Sequence, residues 1–457
     1  MVAQGIITDS TDENRRRLRD GRILLAVRAG LVSRAFGVLS RMAVVAVAIR
    51  VLGAERYGLW VSIGSLVAWL GVSDLGLSSG IINAVSTALG KDNRAEARRH
   101  ISTGYALFGL LGSLVVCLSC VLQKEPLLYR VLGVAQNTVL AEDSRVLFIF
   151  LTFVFALSLP VNVIVSVTNA FQHAYLASLA MTVAQGTTLL TLAVIVIGRF
   201  HSLLALVAAV SLPPLLANIG LSCEFFGRRQ RDIRPSVSAL SASSVRAVAA
   251  TSAFVLLGQC GDLAIQYSSN LVVASHFGPS AVPQYSVPYS LFMVVQTLSN
   301  TLLGPLWPFY AEAAVRDDRV WIGQAFRSSL VRSMGVTIPL SIAIIAFGRP
   351  AIRLWAGQPA VPSFGVLFAL ACYFILWMLS AVAWMLAYGL GFFRLRALTS
   401  LTSAALFLCG SLSLVGSLGV LAIPLAGSAA MVVDCAIGLY SLQVWRTAAA
   451  FRARNTC

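Results

Sequence analysis

Two arginines, Arg34 and Arg41, stand seven residues apart in GLVSRAFGVLSR (residues 30–41), a stretch otherwise apolar enough to lie inside a membrane. On a helix that spacing keeps them within about 20° of one face and about 10 Å apart along it. Gly30, Ser33, Gly37 and Ser40 fall close to the same stripe, so the first span is expected to carry a small, polar, cationic face. An arginine at mid-bilayer costs roughly 2.5–3.5 kcal/mol on insertion scales, so such a pair calls for water, a carboxylate or an anion. Guanidinium forks bind phosphate oxygens in pairs, and anion binding is one chemistry open to this face. The other reading is structural: Arg34 snorkels to the cytosol and Arg41 pairs with Asp74 of the second span. Arg28 and Arg50, nearer the two ends, read as interface anchors.

Two further groups carry polar chemistry inside apolar segments. Asp262, in GQCGDLAIQYSSN, shares much of its face with Gln259, Gln266, Ser269 and Asn270. A carboxylate in a low-dielectric, amide-lined site can take up a proton or a sodium ion as its access to solvent changes, so Asp262 is the candidate for coupling to H+ or Na+. No other cofactor is expected. Tyr285, Tyr289, Gln296 and Asn300 offer hydroxyls, amides and aromatic planes of the kind that hold sugars; the alternative there is ordinary hydrogen bonding between helices. Asp434, in MVVDCAIG, has no visible cluster and is assigned no role.

Catalytic and metal chemistry find little support. His100, His173, His201 and His276 are scattered, without ligand spacing, and no metal site is expected. Cys117 and Cys120 form a CxxC inside an apolar run, with no second pair, so both thiols read as small apolar side chains. The longest outer loop, residues 123–143, offers only Glu125, Glu142 and Asp143, too little for a membrane glycosyltransferase or a polysaccharide polymerase.

The elements that must position these groups follow from composition. Of 457 residues, 58% are hydrophobic and 11% charged, and apolar runs of spanning length recur from about residue 23 onward. Spans are predicted at 29–49, 58–86, 101–122, 146–168, 177–198, 202–224, 247–275, 284–309, 333–348, 363–390, 398–415 and 419–445. Residues 1–22 are polar, lack a cleavable apolar core, and read as a retained cytosolic tail rather than a secretory signal. Arg15, Arg16, Arg17, Arg19 and Arg22 precede the first span; Lys91, Arg94, Arg98 and Arg99 follow the second; Arg228, Arg229, Arg231, Arg234 and Arg246 follow the sixth. Alternate loops are poorer in Lys and Arg, which places both termini in the cytosol of a bacterial inner-membrane protein. The net charge of +16 is then a topology signal with some attraction for anionic membrane lipids, not a nucleic-acid footprint.

The basic segment 225–246 separates two halves, 23–224 and 247–446, leaving 447–457 as a cytosolic tail. Six spans in each half give both halves the same orientation, as in a parallel repeat. VLGAERYGLWVSIGSLV after the first span and HFGPSAVPQYSVPYSLF after the seventh share an apolar-Gly turn, a polar step and an aromatic-led span. The expected fold class is an all-α integral membrane protein, about twelve transmembrane helices in two parallel-repeat six-helix lobes around a central cavity.

Residues 52–104 carry a more specific pattern: Leu52-Gly53, Tyr57-Gly58-Leu59-Trp60, Asp74-Leu75-Gly76-Leu77 and the basic Ala97-Arg98-Arg99. This resembles the N-terminal signature of polysaccharide exporters of the O-antigen flippase type, within the multidrug, oligosaccharidyl-lipid and polysaccharide exporter superfamily. Weaker echoes lie at SHFGPSAVPQYSVPYSL (275–291) and GPLWPFYAEA (304–313). The resemblance implies alternating access of two lobes and passage of an undecaprenyl-pyrophosphate-linked oligosaccharide, with polysaccharide polymerase and chain-length machinery as partners. On this reading Arg34 and Arg41 meet the pyrophosphate, and Asp74, Tyr285, Tyr289, Gln296 and Asn300 complete the substrate site. A cation-coupled multidrug exporter of the same superfamily is the alternative; it calls for acidic residues at the cavity and a less cationic first span.

Overall fold

The computed structural model describes the backbone of residues 2–69, 76–122, 126–135, 138–200, 202–241, 244–246, 253–303, 306–316 and 318–455. Among them the chain forms fourteen α-helices and no strand. These are α1 (Val2–Trp69), α2 (Leu77–Gly90), α3 (Arg94–Leu122), α4 (Pro126–Leu132), α5 (Val139–Ala170), α6 (Ala174–Ile197) and α7 (Leu203–Glu224). They continue as α8 (Ala253–Phe277), α9 (Pro283–Leu303), α10 (Leu306–Val315), α11 (Arg319–Ala356), α12 (Phe364–Gly389), α13 (Phe393–Leu418) and α14 (Ala422–Asn455). Among the described residues, eight stretches of helix are long and apolar enough to cross a membrane, and the chain is a multi-pass membrane protein.

Each of the twelve predicted spans overlaps helix among the described residues, but the second is not one rod. Its N-terminal part is the end of α1 and its C-terminal part is α2, which starts after Gly76 in the left-handed region (φ 67°). Helix starts use the expected side-chain caps. Ser202 accepts from the Ala205 amide, Asp318 from that of Trp321 and Ser363 from that of Val366, at 3.0–3.3 Å, each satisfying one donor that the first turn leaves open.

The faint repeat between the halves has a backbone counterpart. Gly53 breaks α1 with φ 77° and ψ 171°, and Gly278, just after α8, has φ 78° and ψ 166°. That region is essentially reserved for glycine. The two turns after the first and seventh spans therefore share one conformation.

The chain forms two compact units, each drawn from separate stretches of sequence. The first comprises residues 1–47, 73–121 and 149–252. Its core gathers Ile81, Val85, Ile101, Val163, Ile164, Val167 and Phe225. Much of the basic segment 225–246 belongs to this unit and is strapped to α3. Ile233 is wholly buried in the core, Asp232 pairs with Arg94 at 2.8 Å, Arg98 Nε donates to the Arg234 carbonyl at 2.9 Å, and the Ser236 amide donates to Ser102 Oγ at 3.1 Å.

The second unit comprises residues 48–72, 122–148 and 253–457. Its core is built on α8, α9, α12, α13 and α14, with Val273, Phe292, Leu367, Leu370, Phe374 and Phe407 at its centre. The two short stretches from earlier in the chain are tied in by specific contacts. Asn270 Nδ2 donates to Ser65 Oγ at 3.0 Å. Arg50 reaches the C-terminal turn of α11, donating to the carbonyls of Leu354 at 2.8 Å and Trp355 at 3.3 Å. A cation there satisfies carbonyls that the helix end leaves unpaired, a sharper role than the interface anchor read from sequence.

Candidate functional site

In the first unit, α1 separates what the heptad spacing had placed together. Ser33 and Ser40 are buried, and Gly37 meets α6: a Cβ at that position would stand 3.0 Å from Gln185 Nε2. Arg34 and Arg41 each follow one of those serines, about 100° further round the helix, and both are exposed. Val32 and Leu39, at 50% and 60% exposure, lie about 160° from the arginines. Gly37 thus brings α1 up to α6, while the two arginines stay exposed beside that contact, with Leu31, 53% exposed, about 60° from Arg34. Asp74 lies outside the described residues, as does the side chain of Gln259.

The second unit holds a charged cluster that sequence reasoning found only in part. Asp262 of α8 and Asp434 of α14 are joined by one guanidinium, that of Arg396 in the first turn of α13. Arg396 Nη2 is 2.7 Å from Asp262 Oδ1 and Nη1 is 2.6 Å from Asp434 Oδ1. Asp434 Oδ2 accepts from Trp384 Nε1 at 2.9 Å and from the Ser380 hydroxyl. The Trp384 ring also lies 5.2 Å from the guanidinium carbon, within cation–π range. Ser400 Oγ is 3.1 Å from Asp262 Oδ1. The three side chains differ in access: Asp434 is 2% exposed, Arg396 12% and Asp262 55%.

Local sequence explains how three helices converge there. A Cβ on Gly261 would stand 2.4 Å from the main chain of Ser400, so α8 and α13 touch along their backbones beside Asp262, and a short carboxylate can reach Arg396. Asp434, the residue to which sequence gave no role, has three donors around it, from Arg396, Trp384 and Ser380. Arg396 had been counted with the basic loops because it follows FFR at a helix start. The signal that could have found it is Asp434 itself: a carboxylate in an apolar span requires a partner, and Arg396 heads the preceding span.

The aromatic and amide candidates of α9 have mixed surroundings. Tyr285 is 3% exposed and stacks on Tyr289 at 5.6 Å between ring centres. Tyr289 in turn lies 5.2 Å from Phe374 of α12. Gln296 is 2% exposed, whereas Asn300, one turn on, is exposed.

No family sequence model and no curated protein sequence matches the chain. Solved structures do. An inward-facing multidrug resistance MATE family transporter of the MOP superfamily aligns with a TM-score of 0.71 at 13% identity, over 93% of this chain and 99% of that one. A MOP superfamily transporter from Pyrococcus furiosus, described by a binding pocket of reverse polarity, gives 0.62 at 12%, over 94% and 97%. The lipid II flippase MurJ in an inward closed conformation gives 0.61 at 15%, over 92% and 87%. The chain therefore has the fold of MOP-superfamily transporters, and these neighbours are transporters or flippases rather than enzymes.

Proposed function

We propose that a chain with this fold and this first helix is a flippase, moving an undecaprenyl-pyrophosphate-linked oligosaccharide across the bacterial cytoplasmic membrane for O-antigen, capsule or exopolysaccharide synthesis. Both termini are cytosolic in this reading, no bond is made or broken, and access alternates between the two sides. A polysaccharide polymerase and chain-length machinery act next on the product. The observation that carries the reading is the exposed pair Arg34 and Arg41, one heptad apart on α1. Two guanidiniums at successive depths suit a pyrophosphate and the sugar beside it. A pyrophosphate carries about two negative charges, and with the cytosol negative its outward passage is favoured by roughly 2.3 kcal/mol per charge per 100 mV. The membrane potential helps the anion leave, and the arginines make its entry tolerable. A lipid II flippase among the structural neighbours supports a lipid-linked substrate.

The test follows lipid-linked oligosaccharide by leaflet. Deleting the gene, with no paralogue present, is expected to leave the intermediate on the cytosolic leaflet. Normal amounts on the outer leaflet would overturn the reading.

A cation-coupled multidrug exporter is the second reading, favoured by the half-exposed carboxylate of Asp262. Against it stands the cationic first helix, on which Arg34 and Arg41 are both exposed. In the flippase, too, Asp262 is the proposed coupling residue for H+ or Na+. Asp262→Asn is then expected to slow transport while substrate binding persists; unchanged transport with unchanged dependence on ion gradients would remove Asp262 from the mechanism.

A further inference from the structure

The antiparallel helices α9 and α11 of the second unit pack on each other through polar side chains. On α11, Ser329, Ser333, Thr337 and Ser341 recur at every fourth residue, and all four are buried, the last three at 0% exposure. One register point is fixed: Ser299 of α9 and Thr337 of α11 share a hydrogen bond at 2.9 Å. Ser329 is also accounted for, donating to the Ala325 carbonyl at 2.7 Å. Running the helices in opposite directions from the fixed point sets Gln296 level with Ser341. On the other side of it Leu303 comes level with Ser333. The packing agrees, since Phe292 and Met293 share a cluster with Ile344 and Ile345, and Leu303 shares one with Met334.

Four polar atoms in this seam have no partner: Gln296 Nε2, Gln296 Oε1, Ser333 Oγ and Ser341 Oγ. Gln296 is 2% exposed and both serines are fully buried. A serine inside a helix can satisfy itself on the carbonyl four residues back, as Ser329 does, yet Ser333 and Ser341 do not. The large majority of buried side-chain polar groups in native proteins are hydrogen-bonded, and in a membrane no bulk solvent stands in.

We propose that the seam between α9 and α11 binds a short file of water molecules, running from Gln296 and Ser341 past the Ser299–Thr337 bond to Ser333. Ser333 and Ser341 stand about 12 Å apart along the helix, so more than one water is needed to serve both. The chemistry selects water over a metal cation. A cation would accept Gln296 Oε1 and the hydroxyls but would repel the two N–H bonds of Nε2, and no carboxylate occurs among the seam residues named. Water both donates and accepts, so it matches an amide and two hydroxyls together. Pro339 lies between Thr337 and Ser341 and removes one backbone donor from α11. Bound water lets the polar contacts be remade when the helix bends at that point.

The full-length protein in lipid nanodiscs can be exposed to brief X-ray pulses, which turn bound water into hydroxyl radicals that label the nearest side chains. Phe292 and Met378 are the reporters, each at 0% exposure and each in one of the two clusters flanking the seam. Prompt labelling of both is expected in the wild type, falling several-fold in Gln296→Leu, with a lower unfolding temperature for the variant because Ser341 and the remaining waters lose a partner. Absence of labelling in the wild type, labelling unchanged in the variant, or a rise in its unfolding temperature would each overturn the proposal, the last because a dry seam gains when an orphaned amide is replaced by an apolar side chain. Should Gln296→Leu fail to accumulate, Ser341→Ala supplies the same comparison.

Discussion

At the scale of single residues, two arginines of the same chemistry hold opposite positions. Arg396 is enclosed by two carboxylates and an indole, and Arg41 stands exposed on α1. Truncating one member of a buried ionic group leaves an uncompensated charge and costs about 3–5 kcal/mol. Arg396→Ala is therefore expected to lower the unfolding temperature and the membrane abundance sharply, with partial recovery when Asp434→Asn is added; an Arg396→Ala protein of normal stability would show that Asp434 does not need its cation. Arg41→Ala should do the reverse, keeping abundance while losing flipping, with Arg41→Lys retaining part of the transport because the charge survives. Full transport by a normally abundant Arg41→Ala protein would exclude an anion-binding role. The sequence showed Arg41 readily, because an arginine stands out in an apolar span. It hid Arg396, because an arginine at the head of a helix looks like one more basic loop residue until the buried carboxylate facing it, 38 positions later, is known.

At the scale of elements, helix contacts depend on positions where a side chain is missing. A Cβ on Gly58 would lie 1.7 Å from the Pro279 carbonyl oxygen, and one on Gly261 would meet Ser400. Overpacking of this kind costs typically about 1–3 kcal/mol, occasionally more. Gly58→Ala and Gly261→Ala are both expected to lower the unfolding temperature, while Gly64→Ala, where nothing lies within 4 Å, should not, since alanine is favoured over glycine inside a helix; equal losses at all three would show that the close contacts are not the cause. This also accounts for part of the Tyr57-Gly58-Leu59-Trp60 signature. Tyr57 and Leu59 are buried and Gly58 admits a carbonyl, so three of its four residues are fixed by packing. Twelve apolar segments were legible because each needs a long hydrophobic stretch to exist in lipid. The division of the second one was not, since α2 is as apolar as the end of α1 and only the backbone turn at Gly76 marks its start.

At the scale of the whole molecule, length and hydropathy determine how many times the chain crosses, and loop charge determines its direction. Reporter fusions at Arg94, Arg231, Arg319 and Arg452 are expected to read cytosolic, and fusions near Val134 and Gln358 periplasmic. An outside reading at Arg231 would break the parallel arrangement of the halves. What loop charge cannot convey is that residues 48–72 and 122–148 join a compact unit made mostly of the second half. Sequence distance is a poor guide to such packing, because its contacts pair residues hundreds of positions apart. Arg50 shows a consequence for how the protein can evolve. Its acceptors are the main-chain oxygens of Leu354 and Trp355, which every amino acid supplies, so this contact does not fix the Leu354 side chain, 82% exposed, while the arginine is retained. Among diverged relatives, positions 50 and 354 should then show one invariant column beside one variable column, a long-range contact that pairwise covariation passes over.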